Sequence, residues 1–81
     1  MKTQQPTPNE LTDHHVVPTS RGGNTGKRNQ KQVPNKYHMA FHHLFENMTP
    51  EEIVSYLDEV WFKPQERFIG PAKWLQKNGY F

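Results

Sequence analysis

Apolar residues recur at helical spacing near the middle of the chain. Four of them stand at i, i+4, i+7 and i+8, namely Tyr37, Phe41, Leu44 and Phe45. This spacing places them on one face of an α-helix. The pattern predicts a helix over residues 35–47, with Asn35 placed to cap its first turn.

A second helix, over residues 49–61, is predicted by the signal at its start. Thr49 suits the N-cap, Pro50 suits the first helical position, and Glu52 completes a capping box with Thr49. We expect the acidic residues of this helix to point outward. Its buried face is expected to consist of Ile53, Leu57, Val60 and Trp61.

The remaining pattern predicts two short strands and one more helix. The β-branched pair Val16 and Val17, ended by Pro18, indicates that residues 14–18 form a strand or its end. Residues 30–33 predict a second strand, and the glycine-rich residues 19–29 predict a loop between the two. Residues 71–77 predict a short third helix, stopped by Asn78 and Gly79. The expected fold class is therefore α+β.

The chain divides into an arm and one domain. Residues 1–10 carry two prolines and little that could pack, so we expect a flexible arm. Residues 11–81 are expected to form a single domain, with its core at 13–47, the supporting helix at 49–61 and a C-terminal tail at 62–81.

Composition limits how this domain can be stabilised. The chain has 81 residues, of which only 32% are hydrophobic, and it contains no cysteine. Its mean hydropathy is −1.02. A small apolar core is expected, and disulfides, thiolate zinc sites and thiol nucleophiles are excluded. No apolar run is long enough for a membrane span or a signal peptide, so we expect a soluble cytoplasmic protein.

The net charge of +2 hides an uneven distribution. Residues 21–36 contain five cations and no acid, namely Arg21, Lys27, Arg28, Lys31 and Lys36, whereas residues 51–59 contain four acids and no cation. A basic loop suits a phosphate-rich partner, because Lys and Arg release condensed counterions on contact. A solvated polar loop would have the same composition.

Histidines offer the clearest candidate chemistry. His38 and His42 are four residues apart on the predicted helix, so their side chains point within about 40° of each other. The His14–His15 pair precedes the helix, and adjacent strand residues face opposite sides. One of that pair could join the helical histidines around a metal ion, and the other could act as a general base. One alternative is that the histidines are ordinary exposed surface residues. Another is a purely structural ion, with Asp13 or His43 as its fourth protein ligand.

These residues resemble a known motif. The order of His14, His15, Pro18, Gly22, Gly23, Asn29, His38 and His42, in a strand, loop, strand and helix context, resembles the HNH endonuclease family. The resemblance covers residues 13–47, and the motif is similar to the one found in nuclease colicins. It implies the ββα-metal fold and a metal-dependent hydrolase that cleaves phosphodiester bonds, with DNA favoured over RNA.

The resemblance also implies a role for each residue. His14, His38 and His42 would bind one divalent metal ion, His15 would be the general base, and Asn29 would brace the loop and help orient the base. Asn24 is the alternative to Asn29 as the middle asparagine of the motif, and Asp13 is an alternative metal ligand. Imidazole ligands favour Zn, Ni, Mn or Co over Mg. From their charge and their place in the loop, Arg21, Lys27 and Arg28 are candidates for phosphate contacts.

The sequence leaves two further alternatives open. A non-catalytic binding or inhibitory module, for example one encoded by a phage, could keep the same scaffold with a structural metal. The aromatic residues of the tail are expected to close the back of the domain, with a homodimer or protein-partner interface as the alternative. They are Phe62, Phe68, Trp74, Tyr80 and Phe81.

Overall fold

The computed structural model describes residues 6–79 of the chain. Two antiparallel strands, β1 (Leu11–His15) and β2 (Gln30–Pro34), are followed by three α-helices. The helices are α1 (Asn35–Phe45), α2 (Pro50–Tyr56) and α3 (Pro71–Lys77). The predicted α+β class is confirmed at this level. Among the described residues, no helix has the length and apolar character needed to cross a membrane.

The two strands form a narrow sheet whose register places the histidines at one end. Leu11 pairs with Pro34 at one end of the ladder, and His15 pairs with Gln30 at the other. Strand β1 therefore ends with the two histidines, and Val16 and Val17 belong to the loop that follows. That loop contains two short 3-10 turns, at Thr19–Arg21 and Lys27–Asn29, and otherwise lacks regular structure.

Helix α1 lies against the sheet and ends at Phe45, two residues before its predicted end. It differs from its prediction in two further respects. Asn35 is the first helical residue instead of the cap, and its side-chain amide donates to the carbonyl of Pro6, 3.3 Å away. The predicted apolar face is also rotated, because Tyr37 is 60% and Leu44 is 40% exposed. The face that packs inward contains half-buried His38, Phe41 and Phe45. Apolar periodicity missed this face because a polar histidine belongs to it.

Helix α2 begins with the predicted capping box. The Thr49 hydroxyl accepts from the Glu52 amide, and the Glu52 carboxylate accepts from the Thr49 amide. The predicted orientation is only partly correct, since Glu52 and Tyr56 are buried and Trp61 is 48% exposed. Residues Leu57–Trp61 continue α2 as a π-helical turn, closed by the Phe62 amide on the Leu57 carbonyl. The wider turn carries Trp61 out of the buried face.

The apolar core is formed by residues of α2, its π-helical turn and α3, together with Met48 from the connection before α2. Its buried members are Met48, Tyr56, Val60, Trp74 and Leu75. Among the tail aromatics that the structure describes, Trp74 belongs to this core. Phe62 and Phe68 are 67% and 57% exposed, so the prediction that they close the domain is wrong for them. Both lie in the irregular stretch between the π-helical turn and α3, where residues 62–68 are all exposed. Tyr80 and Phe81 lie outside the described residues.

A column of edge-to-face rings joins the strand histidine to this core. It runs through His14, Phe41, Phe45, Tyr56 and Trp74. Successive ring centroids are separated by 4.5, 5.1, 6.4 and 5.6 Å. These separations and the steep angles between the rings suit the aromatic quadrupole, so the column adds to the packing energy.

The predicted arm is only partly within the described residues, because 1–5 lie outside them. Residues 8–10 are attached to the helix start: the Lys36 amide donates to the Pro8 carbonyl and the Asn35 amide donates to the Glu10 carbonyl. These bonds supply acceptors for amides of the first helical turn, which have no partner within the helix.

Candidate metal centre and adjoining cleft

Three histidines from two elements come together between β1 and α1. His14, His38 and His42 each offer a ring nitrogen, and these atoms all lie within 4.8 Å of one another. Strand β1 places His14 against the helix, and the four-residue spacing on α1 stacks His38 below His42, with ring centroids 4.6 Å apart. The sequence predicted all three members of this group, which could bind a metal ion.

The donor set suits a divalent cation. Neutral imidazole nitrogens are the preferred ligands of borderline metals such as zinc. Nδ1 of His14 is buried and has no hydrogen-bond partner among the described residues, which is costly unless something else satisfies it. An ion held by His14, His38 and His42 would fit both observations.

The electrostatics favour the neutral form of two of these rings. Burial, followed by the neighbouring His38, His42 and His15, lowers the pKa of His14. Burial and the adjacent His42 and His15 also lower the pKa of His38, although Asp13 acts in the opposite direction. A lowered pKa favours the unprotonated imidazole, which is the form that ligates metals.

His15 lines a cleft of about 300 Å³ together with His38 and His42. The loop residues Thr19 and Ser20 form another part of its wall. Nε2 of His15 is buried and lacks a hydrogen-bond partner within the described part of the chain. The structure therefore places a fourth imidazole beside the three clustered ones, in a cleft large enough to admit a small group.

Asn29 braces the loop that follows His15. It is buried, its side-chain oxygen accepts from the Val17 amide, and its side-chain nitrogen donates to the carbonyls of Val17 and Asn24. Its backbone carbonyl also accepts from the Val16 amide. The rival Asn24 is exposed and accepts from the Gly26 amide. Asn29 reaches His15 only through this backbone, since its side-chain bonds go to Val17 and Asn24.

Gly23 allows the loop to approach Asn29 closely. A Cβ at this position would overlap the Val17 carbonyl and would lie 2.8 Å from Nδ2 of Asn29. A side chain would therefore displace the atoms that Asn29 holds.

Arg21 and Glu52 form an ion pair that the sequence did not reveal. Two guanidinium nitrogens of Arg21 donate to the two carboxylate oxygens of Glu52, at 2.8 and 2.5 Å, and one of them also donates to the Asn47 carbonyl. Burial alone raises the pKa of Glu52, but the hydrogen bonds from Arg21 and Thr49 outweigh it and hold that pKa below its usual value. The glutamate matched a capping box, so nothing local signalled a second partner 31 residues away.

The other predicted residues occupy different positions. Lys27 and Arg28 are exposed, and Lys27 shares a groove with Asp13, Gln30 and Gln32. Asp13 lines both this groove and the cleft, and its carboxylate accepts a hydrogen bond from Gln32 of the groove.

His43 lies in a separate groove with Leu44, Tyr56 and Trp61. Neither Asp13 nor His43 belongs to the histidine group found among residues 6–79. A fourth protein ligand, as a closed structural ion would require, is therefore absent from that group.

Comparison with known proteins gave no match. No family model, no curated protein and no solved structure matches the chain. The chemical interpretation of the site therefore depends on its own residues and geometry.

Proposed function

We propose that the protein is a metal-dependent endonuclease that hydrolyses phosphodiester bonds in nucleic acid, with DNA as the favoured substrate. The proposal joins the HNH-like order of residues to the arrangement of the cleft. His14, His38 and His42 would hold one divalent ion, with zinc, nickel, manganese or cobalt favoured over magnesium by their imidazoles. When bound, the ion supplies Lewis acidity and orients the phosphate.

The position of His15 is the observation that carries the proposal. A structural ion needs ligands but no free base, yet His15 lines the same cleft as His38 and His42 without belonging to the group of potential ligands. A neutral imidazole can accept a proton from a water molecule near pH 7. His15 is therefore the proposed general base.

Asn29 and the basic residues have supporting roles in this proposal. Asn29 holds the backbone at Val16 and Val17, next to His15, through its side chain and its carbonyl. Lys27 and Arg28 are exposed and would contact phosphates beside the cleft. The groove that Lys27 lines adjoins the cleft, because Asp13 lines both. Arg21 was expected to join them, but its guanidinium bonds Glu52, so we do not include it.

A plasmid-nicking assay tests the proposal. Supercoiled DNA is incubated with the protein and Zn, Ni, Mn, Co or Mg, with a chelator as the blank. We expect nicking with at least one ion, and we expect His15→Ala to reduce it by a factor of about 100 or more. His43→Ala is the matched control, because it removes a histidine that faces another groove.

The same assay distinguishes the nuclease from a non-catalytic binding module. A non-catalytic binding module would bind the ion but nick no DNA with any of the metals. Undiminished nicking by His15→Ala would show that the general base is a different group. A parallel assay on a labelled RNA shows whether DNA is the preferred substrate.

A further inference from the structure

Thr12 lies beside the histidine group on the inner face of the sheet. It precedes His14 by two residues on β1, so both side chains point towards α1. Its hydroxyl oxygen is 2.8 Å from Nδ1 of His38 and 3.0 Å from the carbonyl of Val33, its partner on β2. The hydroxyl thus links the sheet to a potential ligand.

Counting protons decides the direction of these two bonds. A threonine hydroxyl has one proton to donate, and a carbonyl oxygen can only accept. If the hydroxyl donates to Val33, it can still accept from a protonated Nδ1 of His38, and both contacts are hydrogen bonds. If it donates to Nδ1 instead, its contact with Val33 is lost. The first arrangement is favoured because it keeps one more hydrogen bond than the second.

We infer that Thr12 is a positioning residue that fixes His38 in the Nδ1–H tautomer and leaves Nε2 as its ligating nitrogen. Its role in ion binding rests on the ion site of the proposed function, although not on DNA cleavage, and the tautomer rests on neither. The bond also restricts rotation of the ring. Partners of this kind typically change metal affinity by a factor of about 10–100.

The tautomer is measured by NMR on metal-free, ¹⁵N-labelled protein at a pH above about 8, where an ordinary imidazole is neutral. We expect His38 to show a protonated Nδ1 and an unprotonated Nε2 in the wild-type protein and in Thr12→Ser. Thr12→Val keeps the shape of the side chain but removes the hydroxyl, so the preference should be lost. The His43 signals should not change and serve as the internal control.

Calorimetric titration with Zn then measures the effect on binding. Thr12→Val should weaken binding by a factor of about 10 or more, and Thr12→Ser should restore it to near the wild-type value. An Nε2–H tautomer in the wild-type protein would overturn the inference. So would unchanged affinity in a folded Thr12→Val variant.

The tautomer and zinc-binding measurements, compared with the nicking assay, distinguish failure of this inference from failure of the proposed function. If the wild-type protein has the Nδ1–H tautomer, loses it in Thr12→Val and binds zinc but nicks no DNA, the nuclease proposal fails and Thr12 keeps its role. If Thr12→Val does not fold, the wild-type tautomer alone can still contradict the inference.

Discussion

His42 and His43 are neighbours on α1, yet only His42 belongs to the group that could bind an ion. Both side chains are exposed, so replacing either with alanine removes little packing. The pair therefore separates the effect of a ligand from the effect of losing a histidine.

We predict that ion binding stabilises the wild-type protein and His43→Ala but not His42→Ala. At about 100 times its Kd, an ion adds about 2.7 kcal/mol to the free energy of unfolding, or roughly 10–20 °C in Tm for a chain of this size. Calorimetric melting with zinc and with chelator measures the shift. An equal shift in all three proteins would contradict the assignment of His42 as a ligand.

Glu52 supports a second prediction at the scale of one residue. Replacing it with glutamine keeps the capping-box shape but leaves Arg21 without its carboxylate, so we expect a loss of about 2–3 kcal/mol near pH 7. Glu51→Gln is the control, since Glu51 is exposed in the same helical turn. Urea unfolding measures both variants.

The effect of Glu52 should depend on pH in one direction. Its pKa is lowered in the folded protein, so its contribution is present above the ordinary glutamate value of about 4.3 and is lost as the pH falls through the folded pKa. The difference between wild-type and Glu52→Gln stability should therefore shrink on acidification. A difference that grew below about pH 4 would show that the ion pair is not its source.

At the scale of elements, the loop between β1 and β2 connects the site to the rest of the fold. Gly23 permits its close turn, and Asn29 holds that turn. We predict that Gly23→Ala lowers stability by about 1–3 kcal/mol and reduces nicking, because the new methyl group would displace Val17 and Asn29.

Gly70→Ala is the matched control for the loop. A Cβ at Gly70 would meet no atom within 4 Å, so we expect a smaller loss of stability and unchanged nicking. Urea unfolding and the plasmid assay measure both variants. An equal effect at the two glycines would show that crowding against Asn29 is unimportant.

The elements also show how far the sequence can be interpreted. Strong local signals predicted the α2 capping box and helix α3, and both are confirmed. It was harder to predict which side of each helix faces the core. The inner face of α1 includes His38, and a π-helical turn moves Trp61 outward. Local periodicity cannot reveal either, because both depend on packing against other elements.

The candidate site was more predictable than the core. Helical spacing brings His38 next to His42, and the motif order added His14, so these members followed from position along the chain. The Arg21–Glu52 pair joins residues far apart and matches no motif, so only the folded chain reveals it. The structure also adds Thr12, whose type alone gives no signal of a contact with His38.

At the scale of the whole molecule, the candidate site and the apolar core occupy different halves of the chain. The buried core is drawn from residues 48–75, and the clustered histidines from residues 14–42. Exposed Trp61 and Phe68 rest edge-to-face, at 5.4 Å, on the outside of the core half. A homodimer through this surface remains a prediction, which light scattering over a range of concentrations tests.

The ring column crosses between these halves, and this predicts how the chain denatures. A truncating mutation in the core should weaken the packing of His14, and a loss of His14 packing should destabilise the core. The reason is that Phe41 and Phe45 lie between them. Unfolding should then be a single cooperative event. In a Trp61→Phe background, the change in Trp74 fluorescence and the loss of the folded-state His14 ring resonance should have the same denaturant midpoint. Two separate midpoints would mean that each half unfolds alone.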